Sequence, residues 1–231
     1  MLPPPTVLLL CTVMLCQPHA SGCEENISSP VLREVKFHSV DYRNILHWKT
    51  QSHPDGNQKY FVQYKIYGEK HWTTARHCQG ITQLYCDLSQ QTSDPWERYY
   101  ARVQAEVSGH QSSWVLSPRF NPHWETSVSP PTMRLNVTER AIVVRLKPPK
   151  SPYRRRRGSW ISMKKLQKLT YRVYLMHSGS IQEVHKLEGH VTLLVIQHLQ
   201  PNTTYCLQAE AHLPRLGRTG DRGPWFCITT P

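Results

Sequence analysis

Tyr99-Tyr-Ala-Arg-Val-Gln-Ala105 and Tyr205-Cys-Leu-Gln-Ala-Glu-Ala211 are one strand written twice. In each, aromatic, apolar and small residues recur at alternate positions, the period of a β-strand with one face turned inward. The second copy follows Leu199-Gln-Pro-Asn-Thr-Thr204. A Tyr set after a Leu-x-Pro corner can return its hydroxyl to the backbone just upstream, as the corner tyrosine of strand F does in a β-sandwich. Tyr99, after Ser93-Asp-Pro95, takes the same role in the first half.

Around these anchors the chain breaks into short runs rich in Tyr, Val and Ile, bounded by Pro, Gly, Ser and Asp, with no long 3.6-residue period. The first half reads as strands over Val31–Phe37, Asn44–Trp48, Tyr60–Tyr67, Leu84–Leu88, Tyr99–Val107 and Ser113–Phe120. The second reads as Met133–Val137, Ala141–Lys147, Thr170–Met176, Gln182–Leu187, Val191–His198, Tyr205–His212 and Pro224–Thr229. Six or seven strands in about 100 residues, twice over, predict an all-β chain of two sandwiches, with Trp48 in the first core. The boundary is Asn121-Pro-His-Trp-Glu-Thr-Ser-Val-Ser-Pro-Pro131, stiffened by prolines at both ends. Trp124 is expected to wedge the two halves at a fixed angle, direct partner contact being the other reading. The organisation is thus residues 1–22 as a signal peptide, 23–120 as the first domain, 121–131 as a linker and 132–231 as the second domain.

Charge is unevenly placed. The chain of 231 residues carries a formal net charge of +12. Twelve basic groups and no acid lie between Glu139 and Glu183: Arg140, Arg145, Lys147, Lys150, Arg154, Arg155, Arg156, Arg157, Lys164, Lys165, Lys168 and Arg172. The rest is neutral, which argues against a nucleic-acid binder that is basic throughout. A 39% hydrophobic content excludes a disordered polyelectrolyte.

The N-terminal apolar run Val7–Cys16, followed by Ala20-Ser-Gly22, reads as a cleavable secretory leader. No apolar run of about 18 residues occurs, so no membrane anchor is expected. Glycan acceptor triplets begin at Asn26, Asn136 and Asn202. Two of the seven cysteines, Cys11 and Cys16, leave with the leader. Spacing pairs Cys78 with Cys86 and Cys206 with Cys227, worth roughly 2.5 and 3.4 kcal/mol in loop-closure entropy. Cys23 is left over, as a terminal thiol or as half of an intermolecular bridge. No H-x-x-x-H or C-x-x-C occurs, so neither a metal nor another cofactor is expected. The absence of G-x-S-x-G, H-E-x-x-H and Gly-rich phosphate loops argues against an enzyme.

This pattern resembles the class II cytokine receptor ectodomain, two fibronectin type III (immunoglobulin-like) β-sandwiches joined at an elbow. The disulfide spacings carry the resemblance, together with the absence of a W-S-x-W-S box; Ser112-Ser-Trp-Val-Leu-Ser117 is only an echo of one. The runs YFVQYKIYG (Tyr60–Gly68), NILHW (Asn44–Trp48) and PRFNPHWE (Pro118–Glu125) are similar to those of soluble members that bind interleukin-22. The resemblance implies that Cys206–Cys227 joins strands F and G. It also implies one-to-one binding of interleukin-22, a helical cytokine of the interleukin-10 family, which would then be withheld from its signalling receptor.

Cytokine contacts in this family come from loops at the elbow. The positions implied are Tyr67, Gly68 and Lys70 after strand C, and Thr92, Asp94 and Trp96 in the E–F loop. Arg119 and His123 follow near the linker, then Tyr153 and Leu213 in the second domain. Strand alternation leaves core as the competing reading of Tyr67, and stacking on a ring of its own domain as that of Arg119; Trp72 is read as core. A second class of function is adhesion. The run Arg154-Arg-Arg-Arg157, with Tyr153 and Trp160 around it, is a candidate site for heparan sulfate, an exposed convertase-like site, or a solvated loop.

Overall fold

The computed structural model describes residues 31–51 and 58–231. The leader, Cys23 and Asn26 lie outside the described residues. The first sandwich packs β1 (Leu32–Val40), β2 (Arg43–Thr50) and β5 (Tyr85–Asp87) against β4 (Thr73–Ile81), β3 (Lys59–Ile66), β6 (Tyr99–Val107) and β7 (His110–Gln111), with β8 (Val115–Leu116) also paired to β6. A short helix α1 (Pro122–Glu125) leads to the second sandwich. There β9 (Thr132–Thr138), β10 (Ala141–Lys147) and β15 (Leu193–Gln197) face β14 (Ser180–Glu188), β13 (Thr170–His177), β16 (Thr204–Leu213) and β17 (Arg218–Arg222), with β18 (Phe226–Thr229) also on β16. A separate hairpin, β11 (Lys150–Arg154) and β12 (Trp160–Ser162), stands in the long connection between β10 and β13.

The repeated strand behaves as its alternation requires. Tyr99, Ala101, Val103, Ala105 and Val107 are buried along β6, and Tyr205, Leu207, Ala209, Ala211 and Leu213 along β16. Each such side chain of Val or Leu size contributes about 1.5–3 kcal/mol on removal from water. Both corner tyrosines form: Tyr99 Oη donates to the Asp94 carbonyl at 3.2 Å, and Tyr205 Oη accepts from Gln200 N–H at 3.0 Å. Trp48 is buried against Tyr60, with ring centroids 5.3 Å apart.

Both disulfides are present. Cys78 on β4 meets Cys86 on β5 and so ties the two sheets of the first sandwich together. Cys206 and Cys227 face each other across β16 and β18.

Strand β4, β17 and the β11–β12 hairpin escape the sequence pattern because their residues show no apolar alternation, and β17 faces solvent almost throughout. The expected strand Ser113–Phe120 shrinks to Val115–Leu116. Its flanks still pair with β6 through single backbone bonds, Ser112 N–H to Ala105 O and Ser117 N–H to Ala101 O, and side chains add to them: Ser112 Oγ accepts from Ala105 N–H and Ser117 Oγ from Ala101 N–H, both at 3.0 Å. Trp72 is not core. It lies on the outer face of the sheet with Lys65 Nζ 4.9 Å and the Arg102 guanidinium 4.3 Å from its ring, and Arg102 also covers Trp114 at 4.5 Å. Such cation–π stacking lets a large ring stay outside the sandwich.

Candidate functional site

The elbow is built from the β1–β2 turn. Asp41 and Tyr42 both adopt positive φ, 54° and 65°, a two-residue hairpin turn that matches strand twist. A tyrosine in that conformation is unusual and persists only where its surroundings hold it. Here they do. Tyr42 is fully buried and packs with the second domain's core, its N–H donates to Thr126 Oγ1 at 2.9 Å, and its hydroxyl accepts from Gln167 Nε2 at 2.8 Å. Burial pushes its phenol up to about 12, against the pull of the Gln167 hydrogen bond. The same turn grips the linker: Asp41 N–H donates to Ser127 O, Ser127 N–H to Ser39 O, and Ser129 N–H to the Asp41 carboxylate.

The wedge between the sandwiches is therefore Tyr42. Trp124, expected in that role, is 56% exposed. The reason is local. Asn121 caps α1 by accepting from Trp124 N–H at 3.0 Å, Pro122 occupies the first turn, and the Glu125 carboxylate accepts from Asn121 N–H at 2.7 Å. Asn121 Nδ2 also donates to Glu97 O, and His123 N–H to Pro95 O, so the helix is clamped onto the E–F loop. That clamp directs Trp124 outward and lays His123 flat on Trp96, with centroids 4.2 Å apart and an interplanar angle of 27°.

The result is an exposed strip of rings on the first-domain side of the elbow. Trp96 is 69% exposed, and Asp94 fixes it by accepting from Trp96 N–H at 2.9 Å. His123 stacks on it, and Trp124 meets His123 edge-on at 5.3 Å. Tyr67, where β3 ends, is 55% exposed, so the core reading fails and the contact position stands open. The Arg119 guanidinium lies over its ring at 5.6 Å, so Arg119 does stack within its own domain while remaining exposed. Gly68 follows at φ +93°, with open space where a Cβ would stand; Lys70 is exposed in the same loop.

Two expected contact residues are buried and a third is only partly exposed. Thr92 is fully buried; its hydroxyl donates to Leu88 O and accepts from Asn44 Nδ2, both at 2.8 Å, so it braces the E–F loop from beneath. Leu213 is buried in the second core, because β16 runs on to it in the inward phase. Tyr153 is half-buried, 5.9 Å from the Tyr42 ring; its buried hydroxyl meets no hydrogen-bond partner at good geometry among the described residues, and burial pushes the phenol up against a weak pull from Asn44. Neighbouring Arg154, Arg155, Arg156 and Arg157 are all exposed at the hairpin tip, Arg154 lying 3.8 Å over the Trp160 ring. Arg172 is not free charge: it pairs at 3.1 Å with Glu210, which is buried on β16 and also bound by Arg222 and Tyr174. Asn136 and Asn202 are exposed, as glycan acceptors must be. Among the described residues, the one His/Cys cluster is His77 beside the Cys78–Cys86 bridge, whose sulfurs are already committed to each other.

His123 joins the strip to the hinge. Its Nδ1 lies 3.0 Å from Gln167 Nε2 and 3.4 Å from Tyr42 Oη. Burial, with a smaller repulsion from Arg215, holds its pKa below the ordinary imidazole value. Tyr42 and Gln167 were not legible as elbow residues. The one available hint was an aromatic at the tip of a two-residue turn.

Comparison with known proteins follows the two-sandwich division. Residues 6–114 match the family model of tissue factor, and residues 126–231 that of the fibronectin type III domain of the interferon-alpha/beta receptor. The interleukin-22 receptor subunit alpha-2 of Mus musculus is 38% identical over 200 residues, covering 86% of this chain and 87% of that protein. The Homo sapiens protein of the same name is 31% identical, covering 91% and 93%. Among solved structures, the chicken interferon gamma receptor alpha chain superposes with a TM-score of 0.63 at 22% identity, over 89% of this chain and 99% of that one.

Proposed function

The chain belongs to the class II cytokine receptor family, grouping with the interleukin-22 receptor subunit alpha-2 proteins, and from that membership we propose that it is a secreted receptor that binds interleukin-22 and withholds it from the signalling receptor. It performs no chemistry. The observation that most supports this reading is the strip of exposed rings Tyr67, Trp96 and Trp124, seated on a braced elbow. Rigid aromatics bring large contact area at low entropy cost, and Arg119 adds a fork for an acidic partner. A standard interface covers roughly 800 Å² on each side, which two elbow faces can supply. Among the described residues no helix is long and apolar enough to cross a membrane. Cleavage of residues 1–22 would release the protein from the cell as two domains, 23–120 and 132–231, joined by 121–131.

Surface plasmon resonance with interleukin-22 over the immobilised, folded protein is the direct test. Submicromolar binding with Tyr67→Ala and Trp96→Ala each weakening it at least tenfold is expected. No binding above the micromolar range would end the proposal. A reporter assay adds specificity: conditioned medium should lower interleukin-22 signalling and leave interleukin-10 signalling unchanged.

A further inference from the structure

The second-domain side of the elbow carries a basic cleft that shares no lining residue with the ring strip. Arg134 and Arg145 are directly opposed partners across β9 and β10, and Lys147 follows Arg145 on the same outward face. Like charges in that register oppose sheet pairing, so the arrangement persists at a cost to the ladder. Neither arginine forms an ion pair with an acid among the described residues. With Lys150 they line a cleft of about 510 Å³. Its one acid, Asp41, is outnumbered by these cations, and its carboxylate accepts from both the N–H and the hydroxyl of Ser129 in the cleft wall. A second hollow, of about 300 Å³, shares Asp41 and Lys150 with the first and runs on to Arg43 and Trp160, where Arg154 is stacked.

We infer that these two hollows together bind a sulfated glycosaminoglycan chain. The cations are spread over two adjoining hollows that share Lys150, which suits an extended polyanion better than a single small anion. Residues i and i+2 of a strand stand about 7 Å apart and cross-strand partners about 5 Å, a mesh that meets repeated sulfates. Trp160 supplies a flat apolar edge for a sugar ring. The exposed arginines at the hairpin tip, Arg155 to Arg157, extend the field outward and steer the chain in, while the cleft seats it. The inference rests on the extracellular setting proposed above and not on the cytokine.

The test is heparin chromatography of the full secreted chain with two triple variants. One is Arg134→Ser, Arg145→Ser and Lys147→Ser in the cleft; the other is Arg155→Ser, Arg156→Ser and Arg157→Ser at the tip. The wild type should elute above physiological salt. The cleft variant should elute far earlier, with affinity at least about tenfold lower and the slope of log K against log salt reduced by roughly one per lost contact. The tip variant should lose less. An unchanged melting curve and unchanged interleukin-22 capture by the cleft variant show that it is folded. Elution of the cleft variant with the wild type, or complete loss from the tip variant alone, overturns the site. Equal binding of the wild type to phosphatidylserine vesicles overturns the glycan class. Heparin binding without interleukin-22 capture by the wild type would overturn the cytokine reading alone.

Discussion

The two domains meet the elbow in opposite ways. The first presents Tyr67, Trp96 and Trp124 to solvent, on loops held from below by Thr92, Asp94 and Asn121. The second turns the residues expected beside them inward: Leu213 enters its own core, and Tyr153 leans on Tyr42. Both sets stand at loop or strand ends. The difference is what lies behind them. The first domain's loops are fastened to their own framework and need no partner, whereas the second domain's apolar tips are used up, Leu213 in its own core and Tyr153 in closing the hinge.

Four experiments break or sharpen that contrast. The largest effect is expected from Leu213→Ala, which should destabilise the protein by about 3 kcal/mol in denaturant titration, because it opens a cavity in the second core. Cytokine affinity of the folded fraction should be unaltered. A similar loss of binding with little loss of stability would return Leu213 to the surface. Trp96→Ala should do the reverse. Binding should fall roughly thirtyfold, about 2 kcal/mol, with the melting temperature nearly unchanged.

Next comes the hinge. Tyr42→Phe removes the oxygen that accepts from Gln167 and should cost about 1 kcal/mol, a typical net hydrogen bond. Tyr153→Phe should cost almost nothing or stabilise slightly, because its hydroxyl is buried without a partner. The pair is a control on one another, two phenols at the same hinge with opposite outcomes.

The smallest effect is on pH. His123 has a folded pKa below its unfolded value near 6.5, so the folded form favours the neutral ring. Its contribution is present above about pH 6.5 and is lost as pH falls from there towards the folded pKa. Protonation would also place a donor on Nδ1 against Gln167 Nε2. Stability followed between pH 7.5 and 5.5 should therefore fall at the acid end, less steeply in His123→Gln. Identical slopes in both proteins would remove His123 from the hinge.

How much of this was legible follows from range. Alternation in Tyr99–Val107 and Tyr205–His212, the two corner tyrosines and the spacing of Cys78, Cys86, Cys206 and Cys227 are local signals, and local physics produced them. Pairing within a strand or across a short loop depends on residues near in sequence, so those elements stood where the pattern put them. Trp72, Thr92, Trp124 and Leu213 were misplaced because their burial depends on distant neighbours. Trp72 stays outside because Arg102 and Lys65 cover it. Thr92 goes in because Asn44 waits for its hydroxyl.

The charge divides in the same manner. The sequence alone located twelve basic groups between Arg140 and Arg172, since the position of charges along the chain is simply its order. Only the tertiary structure showed that Arg172 is neutralised by Glu210, that Arg134 from outside the run joins Arg145, and that Arg43 from the first domain faces Lys150. Sandwich strands bring residues together across sheets and across the elbow from far apart in the chain. The sequence therefore determined two sandwiches and their staples, while the wedge, the ring strip and the cleft were decided where those distant segments meet.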